Sequence, residues 1–468
     1  MHRMAICLLL TVLLLSGCTL APHYSRPEAP VPTSWAADAN LEGDKDPAAP
    51  AYAAMSWQDF FVDGNLKELI RLALESNRDL RVTALTIERT RAQYRIQRSE
   101  LFPGLQAGAG YNRQRVPDTS GFGRVIHLEQ YNVSLATTAW EIDFFGRLRS
   151  LKKQALQTYL ASEEAYRSAR LALVSEVARA YLVLAADRER RQLAEETLAS
   201  YRETLALTQR RYDAGVASEL DLRQAQTSVE AARVDRARYD SLVAEGENAL
   251  RQLVGQEFPP DLLPAAPVTE LAAVTEIPAG VPSEVLQQRP DILAAEYQLK
   301  AAYANIGAAR AAFFPRIALT ASAGFGSSEL STLFDDASRA WAFSPRLDLP
   351  IFTAGSLRAR LQVSKVDREI SLARYEGAIQ GAFREVADAL VRQETIVDQL
   401  QAQQALVEAT AATYNLSELR YTRGVDSFLS LLDSQRSLYG ARQGLVAVRL
   451  ARLENLVSLY KVLGGGAF

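Results

Sequence analysis

RRYDAGVASELDLRQAQ (residues 210–226) returns as LRYTRGVDSFLSLLDSQ (residues 419–435), displaced by 209 residues. GRLR (146–149) returns as GSLR (355–358) with the same displacement. Upstream, NRDLR (77–81) returns as RPDIL (289–293), and SELFPGL (99–105) returns as AAFFPRI (311–317), both displaced by 212 residues. Asp79 thus matches Asp291, and Pro103 matches Pro315. Four matches in one order mean tandem duplication of a unit more than 200 residues long. Solenoid units are about 20–50 residues, so each half carries a full set of structural elements.

The matches border two unusual stretches. Residues 147–214 contain neither Gly nor Pro, and residues 356–423 contain only Gly377 and Gly381 as breakers. In the first stretch Leu148, Leu151, Ala155, Tyr159, Tyr166, Ala169, Leu173, Val177, Ala180 and Leu184 recur at steps of 3, 4 or 7, one face of a helix. A helix of 68 residues would span roughly 100 Å at 1.5 Å per residue. Helices that long are stable as coiled coils or as staves of a helical barrel. Gly215 and Gly424 end them, because glycine takes the left-handed conformation of a helix terminus. Ser218 and Ser427 then supply N-caps for return helices reaching about Val254 and Leu463. Each half therefore holds an antiparallel helical hairpin. Alanine is dense throughout, which suits both helix propensity and close packing of backbones.

The segments before each long helix alternate instead. Leu105, Ala107, Ala109 and Tyr111 form one such series, and Tyr131, Val133, Leu135, Thr137 and Ala139 another. In the second half the series are Ile317, Leu319, Ala321, Ala323 and Phe325, then Phe343, Pro345, Leu347, Leu349 and Ile351. Period 2 is the strand signal. The length suits transmembrane barrel strands of about 9–11 residues, with Arg346 and Asp348 on the side of a wet lumen. Two half-buried hairpins of a soluble domain would carry the same alternation. Four strands cannot close a membrane barrel, and an open edge in lipid leaves backbone groups unpaired. If the strands span, the chain must oligomerise, and three copies supply twelve strands and twelve long helices.

Composition bounds the rest. The 468 residues carry a net charge of −3, from 52 basic and 55 acidic residues, so nothing points to a nucleic-acid partner. The three histidines are His2, His23 and His127, and no Cys/His metal set, nucleophile motif or phosphate loop appears, so neither an enzyme nor a cofactor protein is expected. The apolar run at residues 6–15 is too short to span a bilayer. It reads as the core of a secretion signal, preceded by His2 and Arg3 and ended by LLSGC at Cys18. That ending resembles the bacterial lipoprotein signal, which implies cleavage before Cys18 and a covalent acyl chain (palmitate or similar) on it. Thr19 in place of Asp then implies the outer membrane. The proline-rich APHYSRPEAPVPTSW (21–35) is expected to be an extended tether with little packing of its own.

At this point the chain resembles the TolC/OprM-type outer-membrane efflux proteins, in their lipoprotein, NodT-like branch. The carriers are GCTLAPHYSRPEAPVPTSW, LFPGLQAGAGY, WEIDFFGRLRS, RRYDAGVASELDLRQAQ, RPDILAAEYQL, ARAAFFPRIALTASAGF and RYTRGVDSFLSLLDSQRSLY. The resemblance implies a mainly α protein with a transmembrane β part: a homotrimer whose twelve-stranded β-barrel continues into a twelve-helix periplasmic α-barrel. It implies docking of a periplasmic adaptor at the hairpin tips, Gly215, Val216 and Ser218 with Gly424, Val425 and Ser427, and through it an inner-membrane pump, RND-type. It also implies a periplasmic gate, because Leu429, Asp433 and Arg436 match the positions that narrow the tip in this family. Their spacing of 4 and 3 places them on one helix face, where Asp433 and Arg436 could equally form an ordinary surface pair. The matched first-half positions, Leu220, Gln224 and Thr227, lack the charges.

The expected organisation is a signal (1–17), a lipid-anchored tether and start of an equatorial region (18–60), a first repeat (61–265), a linker (266–284) and a second repeat (285–468). The β-hairpins fall at 102–144 and 314–353, and the helical hairpins at 147–254 and 356–463. Two other functions share parts of this plan: the outer-membrane duct of a type I protein secretion system, and a lipid-anchored coiled-coil scaffold.

Overall fold

A computed structural model describes residues 19–32, 55–117, 125–268 and 283–465. The signal, Cys18, residues 33–54 of the tether region and most of the 266–284 linker lie outside the described residues. In chain order the elements are α1 (Trp57–Phe60), α2 (Gly64–Ser76), α3 (Arg78–Ser99), β1 (Gln106–Pro117), β2 (Val125–Glu141), α4 (Arg147–Asp213) and α5 (Glu219–Val254). The second half repeats the order from α6 (Pro290–Ala311) through β3 (Arg316–Ser327), β4 (Arg339–Asp348), α7 (Ser356–Thr422) and α8 (Phe428–Val462). The long helices α4 and α7 have 67 residues each.

Contacts divide the chain into two compact units. One comprises Met1–Glu28, Thr86–Glu163 and Ala294–Glu376; the other comprises Ala29–Leu85, Glu164–Leu293 and Gly377–Phe468. The second unit has a dense core. Leu66, Leu69, Ile70 and Ala73 line the buried side of α2, with Val177, Leu184, Leu250 and Val254 also fully enclosed. Phe60 stacks on Tyr460 with ring centroids 4.2 Å apart. Each buried Leu, Ile, Val or Phe side chain contributes about 1.5–3 kcal/mol by leaving water.

The duplication is visible in how the return helices end. The Asn77 amide donates to the carbonyl of Leu253 at 2.8 Å, while its oxygen accepts the amide of Leu80. At the matched position Arg289 donates to the carbonyl of Val462 at 2.9 Å. Both side chains thus satisfy a carbonyl in the last turn of a return helix, which the helix itself leaves unpaired. Arg289 is buried, and its charge is offset by Asp291 at 2.7 Å and Glu385 at 2.9 Å. Different side chains do one job at one pseudo-equivalent place.

In the first unit the four strands form one antiparallel sheet in the order β1-β2-β3-β4. Register sorts the side chains. Ala107, Leu135, Ala323 and Trp341 lie in one row, followed by Ala321 with Phe343, Leu319 with Pro345, and Ile317 with Leu347. The alternate rows hold Gly108, Ser134, Gly324 and Ala340, then Thr320 with Ser344 and Ala318 with Arg346. One face is therefore apolar and the other small or polar. The apolar face lies open: Trp341 is 80% and Phe343 60% exposed.

Two details correct the alternation read from sequence. Thr137 pairs with Ala321 but Trp140 pairs with Leu319, so β2 carries a bulge. Ala139 sits in it with a φ of 50° and donates its amide to Thr320 Oγ1, and Trp140 takes the place beside Leu319. β4 ends at Asp348, so Leu349 and Ile351 fall beyond the strand.

At Gly324 the backbone of β2 leaves no room for a side chain on β3. A Cβ there would lie 2.1 Å from the Val133 carbonyl oxygen and 2.6 Å from Ser134 Cα, whereas at Gly326 the nearest atom is 4.0 Å away. Gly324→Ala should therefore lower stability by about 1–3 kcal/mol as an overpacking change, and Gly326→Ala should be near neutral. Thermal unfolding followed by circular dichroism separates them, and equal midpoints would show that the close approach is not real.

The expectation of a tether with little packing is also corrected. Residues 19–26 form neither helix nor strand, but they contact α6 and the first turn of α4 through specific side chains.

Candidate functional site

The helical hairpins turn within a few residues, and the two turns have the same construction. Gly215 and Gly424 adopt φ of 74° and 75°. The Val216 amide reaches the Arg211 carbonyl and the Gly215 amide the Tyr212 carbonyl, both at 2.8 Å. Val425 to Arg420 and Gly424 to Tyr421 repeat the pattern at 2.9 and 3.0 Å. This pair of bonds is the glycine-dependent helix stop, and it leaves the next residue outward. Val216 and Val425 are accordingly 73% and 62% exposed.

The caps differ. Ser218 forms a capping box with Asp221. Ser427 makes no such bond and lies 3.3 Å from the Ser430 hydroxyl. The second turn is tied instead by Arg420, which donates two bonds to Asp426 at 2.6 and 2.8 Å and holds that carboxyl below its usual range. The matched residue Arg211 lies over the Tyr421 ring at 4.6 Å, joining the first hairpin to the second. Beneath it, Ala225 packs with Tyr421, Phe428, Leu431 and Leu432.

Beyond this cluster α8 has two faces. Phe428, Leu431, Leu432, Gln435 and Leu438 are buried, whereas Leu429, Asp433 and Arg436 are exposed. The three residues singled out from sequence share one face. They do not pair with each other: Arg436 donates to Ser228 Oγ on α5 at 3.5 Å, and among the described residues Asp433 enters no ion pair. The ordinary i, i+3 surface pair is thus not formed.

On either side of Arg436 a polar ladder ties α8 to the first hairpin. The Tyr439 hydroxyl donates to Asp235 at 3.1 Å, the Gln443 amide donates to the Tyr239 hydroxyl at 3.3 Å, and the Gln435 amide donates to Thr204 at 3.3 Å. Burial and the Asp235 carboxylate push the Tyr439 phenol well above its ordinary value, so it is a donor at any working pH. Sequence reasoning missed this ladder, because each member taken alone reads as a solvated helix residue. Among the described residues no cluster of His, Cys, Asp and Glu could hold a metal ion, and no helix is long and apolar enough to cross a membrane.

Known proteins decide what such paired hairpins and an exposed apolar sheet belong to. A family model described as outer membrane efflux protein matches residues 69–256 and again 281–465. The chain belongs to the outer membrane efflux protein family. The model thus matches the chain twice, once in each half. It is 48% identical to the probable efflux pump outer membrane protein TtgC of Pseudomonas putida, over 100% of this chain and 96% of that protein. It is 45% identical to the outer membrane protein OprJ of Pseudomonas aeruginosa, over 98% and 95%. The crystal structure of the open state of the Neisseria gonorrhoeae MtrE outer membrane channel superposes with a TM-score of 0.86 at 39% identity, covering 96% of this chain and 98% of that one. The protein is an outer-membrane efflux channel component with a periplasmic part. Its family is one of non-enzymatic transport ducts.

Proposed function

We propose that three copies of this chain close into one exit duct, a twelve-stranded barrel in the outer membrane continued by twelve long helices into the periplasm. The observation that carries this reading is the sheet. It has an apolar face open to the surroundings and two edge strands, β1 and β4, and a four-stranded sheet cannot seal itself. Joining β4 of one copy to β1 of the next removes every edge after three copies under cyclic symmetry. The long helices support the same arrangement: Val363, Val366 and Ile370 make an exposed apolar stripe on α7 that a neighbouring copy would cover.

Substrates leave through this duct after delivery by an inner-membrane pump of the RND type and a periplasmic adaptor. The adaptor meets the hairpin tips, where exposed valines sit on glycine turns at Gly215 to Ser218 and Gly424 to Ser427. Leu429, Asp433 and Arg436 form the gate. Cys18 carries the covalent lipid. Relatives described as efflux pump proteins favour efflux over a protein-secretion duct.

Mild-detergent extraction of outer membranes should yield a heat-modifiable trimer that co-purifies with crosslinked adaptor and pump. A mature protein that stays monomeric in the detergent would overturn the reading.

A further inference from the structure

Residues 19–26 run along a single stripe of α6. Glu296, Lys300, Tyr303, Gly307 and Arg310 recur at steps of 4, 3, 4 and 3, and each meets the arm. Arg26 donates to Glu296 with Nε at 3.2 Å and Nη2 at 2.8 Å, and the Tyr24 hydroxyl donates to the same carboxylate at 2.8 Å. The Lys300 ammonium lies 2.9 Å from Glu296 and 5.2 Å from the Tyr24 ring centroid. The Tyr24 ring meets Tyr303 edge-on at 5.5 Å. At Gly307 a Cβ would come within 2.7 Å of Ala21 Cβ, so only glycine admits the arm there. Arg310 donates to the Leu20 carbonyl at 3.0 Å, and Thr19 Oγ1 lies 3.4 Å from Ser150 Oγ at the start of α4.

The geometry is self-consistent. From Glu296 to Arg310 a helix rises about 21 Å. From Arg26 to Leu20 an extended chain covers about 20 Å. The arm therefore runs antiparallel to α6, and the two spans match in length. Its key is a carboxylate only 3% exposed, for which burial raises the pKa but the bonds from Arg26, Lys300 and Tyr24 prevail and hold it below the usual range. A buried carboxylate with one partner removed is costly, so the dock is specific to these side chains.

We propose that this stripe of α6 is the seat of the N-terminal arm and that Glu296 is the positioning residue that keys it, so that the segment following Cys18 is docked rather than a free leash. The consequence for membrane attachment rests on the lipidation of Cys18; the docking itself does not.

The test is a nitroxide on His23→Cys in the full-length protein purified from membranes. The label should be slow in the parent and several-fold faster in Glu296→Gln. Arg26→Ala and Tyr24→Phe alter only the arm, so they release it without touching the fold of α6, and the label should quicken in both. Thermal unfolding of each variant is the control, since a merely structural Glu296 would lower the midpoint without freeing the arm in Arg26→Ala. A label that is fast in the parent, or equally slow in Glu296→Gln and Arg26→Ala, overturns the dock. In Cys18→Ser the label should stay slow; if it becomes fast, the lipid and not α6 holds the arm, and the proposal fails. The intact mass of the mature chain tests lipidation separately.

Discussion

Asp433→Ala should raise the closed-state ion conductance of the reconstituted trimer on the order of tenfold, equivalent to lowering a barrier by about 1.4 kcal/mol. Within one protomer Asp433 is exposed and enters no ion pair among the described residues, while Arg436, one turn on, reaches for Ser228. An unpaired carboxylate on an exposed helix face is unremarkable in a monomer. Under the proposed threefold symmetry it becomes a ring of three carboxylates, with Leu429 as an apolar ring beside it. Alanine removes both the bulk and whatever charged contacts the ring makes with neighbouring copies. Gln224, the matched position of the first hairpin, bears no charge, so Gln224→Ala should leave conductance unchanged. Salt separates two versions of the mechanism. At about 1 M salt the screening length falls to about 3 Å, so a purely electrostatic barrier would vanish there, whereas helices held together by direct contacts would keep the difference. Planar-bilayer recordings in which Asp433→Ala matches the parent at both salt concentrations would remove the gate from these residues.

The parts of this fold that sequence reveals are those in which one physical constraint repeats along the chain. Sixty-seven residues of α4 without Gly or Pro leave the backbone little choice but helix, and Ile317 to Phe325 alternate because successive side chains of β3 point to opposite faces of the sheet. The duplication amplifies both signals. What sequence hides are the single contacts between distant segments. Asn77 and Arg289 share a task at the ends of the return helices, yet an amide and a guanidinium look unrelated until their acceptors, Leu253 and Val462, are seen to be equivalent. Glu296 reads as one more charge on an alanine-rich helix, and the proline-rich arm reads as a leash by composition; only the fold brings them together. The bulge at Ala139 is invisible because nothing in TTAWE departs from strand composition. At the candidate gate the spacing of Leu429, Asp433 and Arg436 defines a common face, but spacing alone would have paired Asp433 with Arg436. The partner of Arg436 is 208 residues away.

Two neighbouring residues of β4 give the sharpest test of which medium the sheet faces. Phe343 lies in the apolar row with Ala321, and Ser344 lies in the opposite row with Thr320. Both are exposed in one protomer, so a soluble sheet with two solvated faces would accept arginine at either. In a barrel the rows diverge. Phe343→Arg puts a charge against lipid, at a cost of about 2–4 kcal/mol near the bilayer midplane. Ser344→Arg puts it in the wet lumen, where Arg346 already stands two residues along on the same side. The expected result is a loss of most heat-modifiable trimer from the outer membrane in Phe343→Arg and near-parental amounts in Ser344→Arg, measured at equal expression. The contrast matters more than either value, since both changes add the same side chain to the same strand and differ only in the direction it points. Equal behaviour of the two variants would mean that the apolar row is covered by protein and not by lipid, and the sheet would then be no part of a membrane wall.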